Sequence, residues 1–138
     1  MKVAIVGTSH AMTENEERDT QQLIAIILSD YTTDTTIISG GAKGVDTIAH
    51  ESAVSRYFNT EVYNPTTNDW EGYKERNIKI AEECDELYCI TIPTHDEKCY
   101  HHSPPEDHQK TAGCWTLKRA YDLGKKTRLI VTVDRSMK

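Results

Sequence analysis

The sequence predicts a three-layer α/β domain built on a mostly parallel, five-stranded sheet, and three observations carry that prediction. Short apolar runs without polar alternation, such as Val3 to Val6, suit strands buried on both faces. Between them lie segments whose apolar residues recur at helical spacing, so strand and helix alternate along the chain. Glycine-rich or hydroxyl-rich turns close several of the runs where a helix follows. The 138 residues suffice for one such domain with a real core and not for two comfortable ones, so 1–138 is read as a single domain.

The first strand, Val3 to Val6, is closed by Gly7-Thr8-Ser9. Thr13 and Glu16 form a capping box for the first helix, whose Leu23, Ile24, Ile27 and Tyr31 share one stripe. Thr35 to Ile38 reads as the second strand and Asp46 to Phe58 as the second helix. Glu61 to Tyr63 is a short third strand ending at Asn64-Pro65. A third helix from about Trp70 to Cys84 places Tyr73, Asn77, Ile80, Ala81 and Cys84 on one face, and Leu87 to Ile92 follows as the fourth strand. The stretch 94–111 has almost no periodicity and is rich in His, Asp, Glu and Lys; with its flanks it forms an insertion at about 94–113. Cys114 to Leu123 is the last helix, with Gly124 as C-cap and Lys125-Lys126 at its negative end, before a strand from Arg128 to Val133. Right-handed crossovers in such a sheet place a ligand crevice at the carboxyl ends of the strands, where Ser9, Gly40 and Pro93 lie.

Composition narrows the partners. Hydrophobic residues at 37% and charged residues at 28% are ordinary for a soluble protein, and no window is apolar enough to span a membrane. MKVAIVGTSH lacks the apolar region of a signal peptide, so the expected location is the cytoplasm. A formal charge of −6 argues against a broad nucleic-acid-binding face and leaves room for a local basic pocket. Cysteines at 84, 89, 99 and 114 form no small disulfide framework; Cys84 and Cys89 read as core residues.

The most informative stretch is ISGGAKGVDTIAHE, 38–51. A tight strand-to-helix turn uses glycine for backbone freedom and presents N–H groups at the positive end of the next helix, where an anion fits. Gly40, Gly41 and Gly44 meet that requirement, with Lys43 as an added cation and Asp46 either capping the helix or accepting a bond from a sugar hydroxyl. The stretch matches neither GxGxxG nor the Walker pattern. Arg76 suits bidentate pairing with phosphate, and Asn77 breaks an otherwise apolar helical stripe, so a buried Asn77 needs partners. Thr8, Ser9 and Thr116 are small hydroxyl donors that suit phosphate or sugar and are equally ordinary at helix starts.

Four stretches in order resemble the SLOG superfamily, which includes the Rossmann-like domain of DNA-processing protein A, the YspA-like proteins and the Lonely guy phosphoribohydrolases. They are Val6-Gly7-Thr8-Ser9, Ser39 to His50, Arg76-Asn77, and Gly113-Cys114-Trp115-Thr116. The resemblance covers nearly the whole chain outside 94–111 and implies a Rossmann-like fold that binds a nucleotide or nucleotide-derived ligand at its strand ends, as in a sensor. The implied binding set is Gly7, Thr8, Ser9, Gly40, Gly41, Lys43, Gly44, Asp46, Arg76, Asn77, Gly113 and Thr116. Homodimers are common among such relatives, so a homodimer is an expectation.

Lonely guy enzymes carry a catalytic Glu in the motif comparable to 112–119, where this chain has Arg119. Cleavage of an N-glycosidic bond needs a carboxylate beside the anomeric carbon, and nothing in the spacing singles out Asp46 or Glu51 for it. Binding is therefore favoured over nucleoside monophosphate phosphoribohydrolase activity. The DNA-processing likeness supplies the other alternative, a single-stranded DNA module, with Lys43, Lys74, Arg76, Lys79, Lys118 and Arg119 as a track and Trp70, Tyr73 and Trp115 for stacking.

CYHHSPPEDHQKTAGC gathers Cys99, His101, His102, His108 and Cys114, a donor set that suits a closed tetrahedral zinc site. Cys99, His108, Cys114 and one of His101 or His102 would fill it and order a loop that hydrophobic burial does not. YspA-like sequences resemble this stretch with a second Cys in place of His102, which implies His102 as the ligand and His101 as the alternative. Zinc is thus an expected structural cofactor; no organic cofactor is assigned.

Overall fold

The computed structural model describes residues 1–92 and 112–132. Among them strands and helices alternate: β1 (Lys2–Gly7), α1 (Glu14–Leu28), β2 (Thr36–Ser39), α2 (Val45–Ser55), β3 (Asn59–Val62), α3 (Trp70–Glu83), β4 (Glu86–Thr91), α4 (Ala112–Asp122) and β5 (Lys126–Val131). The strands form one sheet in the order β3-β2-β1-β4-β5, and all its pairings are parallel. The chain steps outward from β1 to β3, then crosses back to β4 on the other side of β1. Under the right-handed crossover rule, such a reversal sends the helices to opposite faces.

Packing follows that division. One core layer joins Ala4, Val6, Ile38, Leu87 and Cys89 of the sheet to Ile80, Ala81 and Leu117 of α3 and α4. The other joins Val3, Ile5, Ile37 and Ile90 to Ile24, Leu28, Ile48 and Ala53 of α1 and α2. Alternate residues of β1 thus enter opposite layers, which is why the run carries no polar face.

Local signals explain most boundaries. Thr13 Oγ1 accepts from the Glu16 N–H at 3.2 Å, and Glu16 Oε1 accepts from the Thr13 N–H at 3.0 Å, completing the expected capping box. Gly124 takes φ 81° after α4, as expected of its C-cap. Helix α2 stops at Ser55 rather than Phe58 because Tyr57 turns left-handed at φ 65°, and β3 then starts earlier than expected, at Asn59. The final strand likewise starts earlier, at Lys126. Tyr31 lies beyond α1 and its hydroxyl meets that of Tyr88 at 2.8 Å.

Among the described residues, no helix is long and apolar enough to cross a membrane.

Candidate functional site

The sheet order reverses between β1 and β4, and a cleft of about 430 Å³ opens beside the carboxyl ends of β1 and β2 and the starts of α2 and α4. Ten of the twelve residues expected to bind line it: Gly7 and Ser9 after β1, Gly40, Gly41 and Lys43 before α2, Asp46 in α2, Arg76 and Asn77 in α3, and Gly113 and Thr116 in α4. Thr8 and Gly44 stand outside this lining. Thr8 ties the strand ends together instead. Its N–H donates to the Ile90 carbonyl at 3.1 Å, its carbonyl accepts from Val45 N–H at 3.0 Å, and its hydroxyl oxygen accepts from Ile92 N–H at 2.9 Å. Gly44, at φ 82°, lets α2 begin against that strand end; a Cβ there would lie 2.3 Å from the Thr8 carbonyl oxygen.

The glycine turn encloses an anion of the protein's own. Asp46 is 5% exposed, and its Oδ2 accepts from the Gly40 N–H at 3.1 Å. Burial pushes its carboxyl up to about 6, while the Arg76 charge and backbone N–H groups of Ala42, Gly40 and Gly7 pull it back. The Gly40 N–H therefore faces Asp46 in this arrangement. On the other side of the same residue, Arg76 Nη1 donates to the Gly40 carbonyl. A Cβ on Gly40 would lie 2.6 Å from Asp46 Oδ2 and 2.8 Å from Arg76 Nη1, so only glycine admits both.

Arg76 is 8% exposed, and burial lowers its pKa against the opposing pull of Asp46. Its Nε donates to Asn77 Oδ1 at 2.7 Å, which sets the Asn77 amide with Nδ2 as the remaining donor. That Nδ2 is buried in a side chain only 3% exposed and has no hydrogen-bond partner among the described residues. With Nε given to Asn77 and Nη1 to the Gly40 carbonyl, Nη2 is the guanidinium nitrogen with no partner among the described residues. Ser39 Oγ and Thr91 Oγ1, at the ends of β2 and β4, are also buried and have no partner among the described residues.

Pro65, Asn68 and Tyr73 complete the wall beside α3. The ring of Tyr73, a candidate for stacking on single-stranded DNA, lies under the Arg76 guanidinium at 5.8 Å from the centroid, while its hydroxyl meets Asn68 Oδ1. Pro65 and Asn68 were missed; the Asn64-Pro65 turn after the third strand was their only signal. Thr116 donates to the Ala112 carbonyl at 2.7 Å, so its hydroxyl offers the cleft an acceptor.

The proposed DNA track is divided. Lys118 pairs with Asp122 at 2.8 Å, and Lys79 sits 4.8 Å from the Tyr63 ring centroid. Trp70 and Trp115 pack edge to face with centroids 5.6 Å apart, and Trp70 remains 47% exposed. Glu51 and Arg119 are exposed and outside the cleft, so among the described residues Asp46 is the one carboxylate that lines it.

Cys99, His101, His102 and His108 lie outside the described residues. Cys114 is fully buried between α4 and the sheet, with Cys84 and Cys89 in the same layer. Among the described residues, no three His, Cys, Asp or Glu side chains are grouped to hold a metal.

The family model described as DNA recombination-mediator protein A matches residues 1–100. The crystal structure of DNA processing protein A from Streptococcus pneumoniae superposes with a TM-score of 0.53 at 18% identity, over 92% of this chain and 58% of that one. The likeness is one of fold, and the chain spans little more than half the length of that protein. No curated protein matches the sequence.

Proposed function

The chain belongs to the DNA recombination-mediator protein A family, and we propose that its cleft binds a nucleotide or nucleotide-derived ligand through Arg76 and Asn77. The observation that carries this reading is Asn77 Nδ2, which has no partner among the described residues and is buried beside Arg76 in a cleft at the topological switch point. A donor left unmade in a buried position costs about 1–3 kcal/mol, and a ligand oxygen would recover it. Lys43 at the exposed rim adds a second cation, and the half-buried Tyr73 offers an aromatic wall.

Binding without turnover fits the carboxylate inventory. Asp46 is held by the Gly40 N–H, and hydrolysis would need a carboxylate free to stabilise or activate at the anomeric carbon. Release of free base from a nucleoside monophosphate would overturn this part of the reading.

Single-stranded DNA is the second reading, supported by the family's description as a recombination mediator. The divided cations and the mutually packed Trp70 and Trp115 make a continuous stacking groove the weaker match. A structural zinc on Cys99, His102 or His101, His108 and Cys114 belongs to the same proposal and rests on the chemistry of that donor set.

The test is thermal unfolding of the full chain against nucleoside mono-, di- and triphosphates, sugar-linked dinucleotides and short single-stranded DNA. A ligand at about 100 times its dissociation constant adds about 2.7 kcal/mol, visible as a rise in Tm. A shift from nucleotides that disappears in Arg76→Lys supports the cleft; a response to DNA alone replaces the small-molecule reading with the polymer one.

A further inference from the structure

Resting on that reading of the cleft, we propose that the occupant presents a singly charged phosphodiester to Arg76 and Asn77, rather than the terminal phosphate of a mono-, di- or triphosphate. The charge inventory leads there. Among the described residues, the charged ones that line the cleft are Lys43, Arg76 and Asp46, two cations against one carboxylate, a formal balance of +1. Asp46 is buried and bonded to the glycine turn, so it remains beside any ligand that enters. The stretch 93–111 carries Asp96, Glu97, Glu106 and Asp107 against Lys98 and Lys110, so by sequence it adds no surplus of positive charge.

Coulombic attraction to such a site grows in proportion to ligand charge, whereas the cost of desolvating the ligand grows with the square of its charge. A second or third negative charge would sit partly desolvated with no cation of its own. The donors agree with the count. Arg76 has committed Nε and Nη1, leaving Nη2 together with Asn77 Nδ2, one donor group for each of the two unesterified oxygens of a diester. An esterified oxygen needs no donor, and the acceptor surface of Thr116 and the carboxylate of Asp46 would both repel an additional anionic oxygen.

The same diester chemistry occurs in a small cyclic or linked nucleotide and in an internucleotide link. The experiment is calorimetric titration of the full chain at about pH 7.5, above the value of about 6 to which burial lifts Asp46. The probes are the 5′-monophosphates of the four bases, their O-methyl esters, the matching di- and triphosphates, cyclic mononucleotides and oligonucleotides of increasing length. The methyl ester and the monophosphate share base and sugar and differ by one charge. The expected result is tighter binding of the ester by about three- to fivefold, the scale of a partly exposed charge interaction, with further weakening at each added phosphate.

Lys43→Gln, at an exposed rim position, should weaken the monophosphate more than its ester. Affinity that rises from ester to mono-, di- and triphosphate would overturn the proposal and leave the nucleotide reading standing. Absence of binding by every probe would remove both. Diester affinity independent of oligonucleotide length assigns the link to a small molecule; affinity that grows with length assigns it to a polymer.

Discussion

Stability should fall as pH rises from about 4 to about 6, because Asp46 holds a proton in the folded protein that it surrenders in the unfolded chain. Its carboxyl goes from 3.8 to about 6 on folding, chiefly through burial. A group whose folded pKa is raised contributes its full stabilisation below the unfolded value and loses it as pH rises through the folded one. The gap corresponds to about 3 kcal/mol, a large share of the stability of an ordinary domain. Asp34, Glu61 and Asp69 have the opposite sign: hydrogen bonds from the hydroxyls of Thr32, Tyr63 and Thr67 lower them. Their contribution is present above their unfolded values and disappears as pH falls below the usual carboxylate range. The assay is urea unfolding of wild type and Asp46→Asn at half-unit steps from about pH 4 to 7. The substitution changes absolute stability for several reasons, so the informative quantity is slope. Wild type should lose stability relative to the variant across this interval; parallel curves would refute the buried, proton-accepting Asp46.

Three further perturbations separate the site's support from its contacts. Arg76→Ala should cost about 1–3 kcal/mol in urea unfolding and weaken nucleotide binding, since the Gly40 carbonyl and Asn77 Oδ1 lose their donor. Unchanged stability and affinity together would remove Arg76 from both roles. Gly44→Ala should destabilise by about 1–3 kcal/mol, because residue 44 is at φ 82° and the new Cβ would press on the Thr8 carbonyl; a neutral result in thermal unfolding would contradict that contact. Purified protein should hold about one zinc per chain, released by chelator with a fall in Tm and lost in Cys114→Ser. Metal-free protein that is well folded and indifferent to chelator would end the zinc proposal.

Legibility in the sequence followed the strength of local physics. Val3 to Val6 read correctly because both faces of β1 are covered, and α1 began where Thr13 and Glu16 reciprocate. The edge strands β3 and β5 were shifted because their exposed and half-buried residues impose weak patterns. The end of α2 was hidden in a left-handed Tyr57, a conformation its residue type does not advertise. In the cleft, residue types announced a polar site, but their pairings depended on three-dimensional convergence. Nothing local says that Asp46 would turn inward to the Gly40 N–H, or that Asn77 would take the Nε of its own neighbour. The Arg76 contact to Gly40 spans 36 positions, beyond any periodicity argument.

The parallel order of the sheet also sets a timetable. β1 is central, yet one neighbour begins at residue 36 and the other at residue 86, and its first N–H donor reaches Asp85 across 83 positions at 2.7 Å. Such pairings require long loops to close before they are rewarded, which slows folding relative to locally connected folds. During synthesis the apolar β1 must wait for residues 86–91 to emerge before β4 can shelter it. The Ile92 N–H to Thr8 bond, spanning 84 positions, belongs to the same late event. The walls of the cleft are consequently among the last parts of the molecule to meet, and an interruption of the chain before β4 leaves a half-sheet with its central strand exposed.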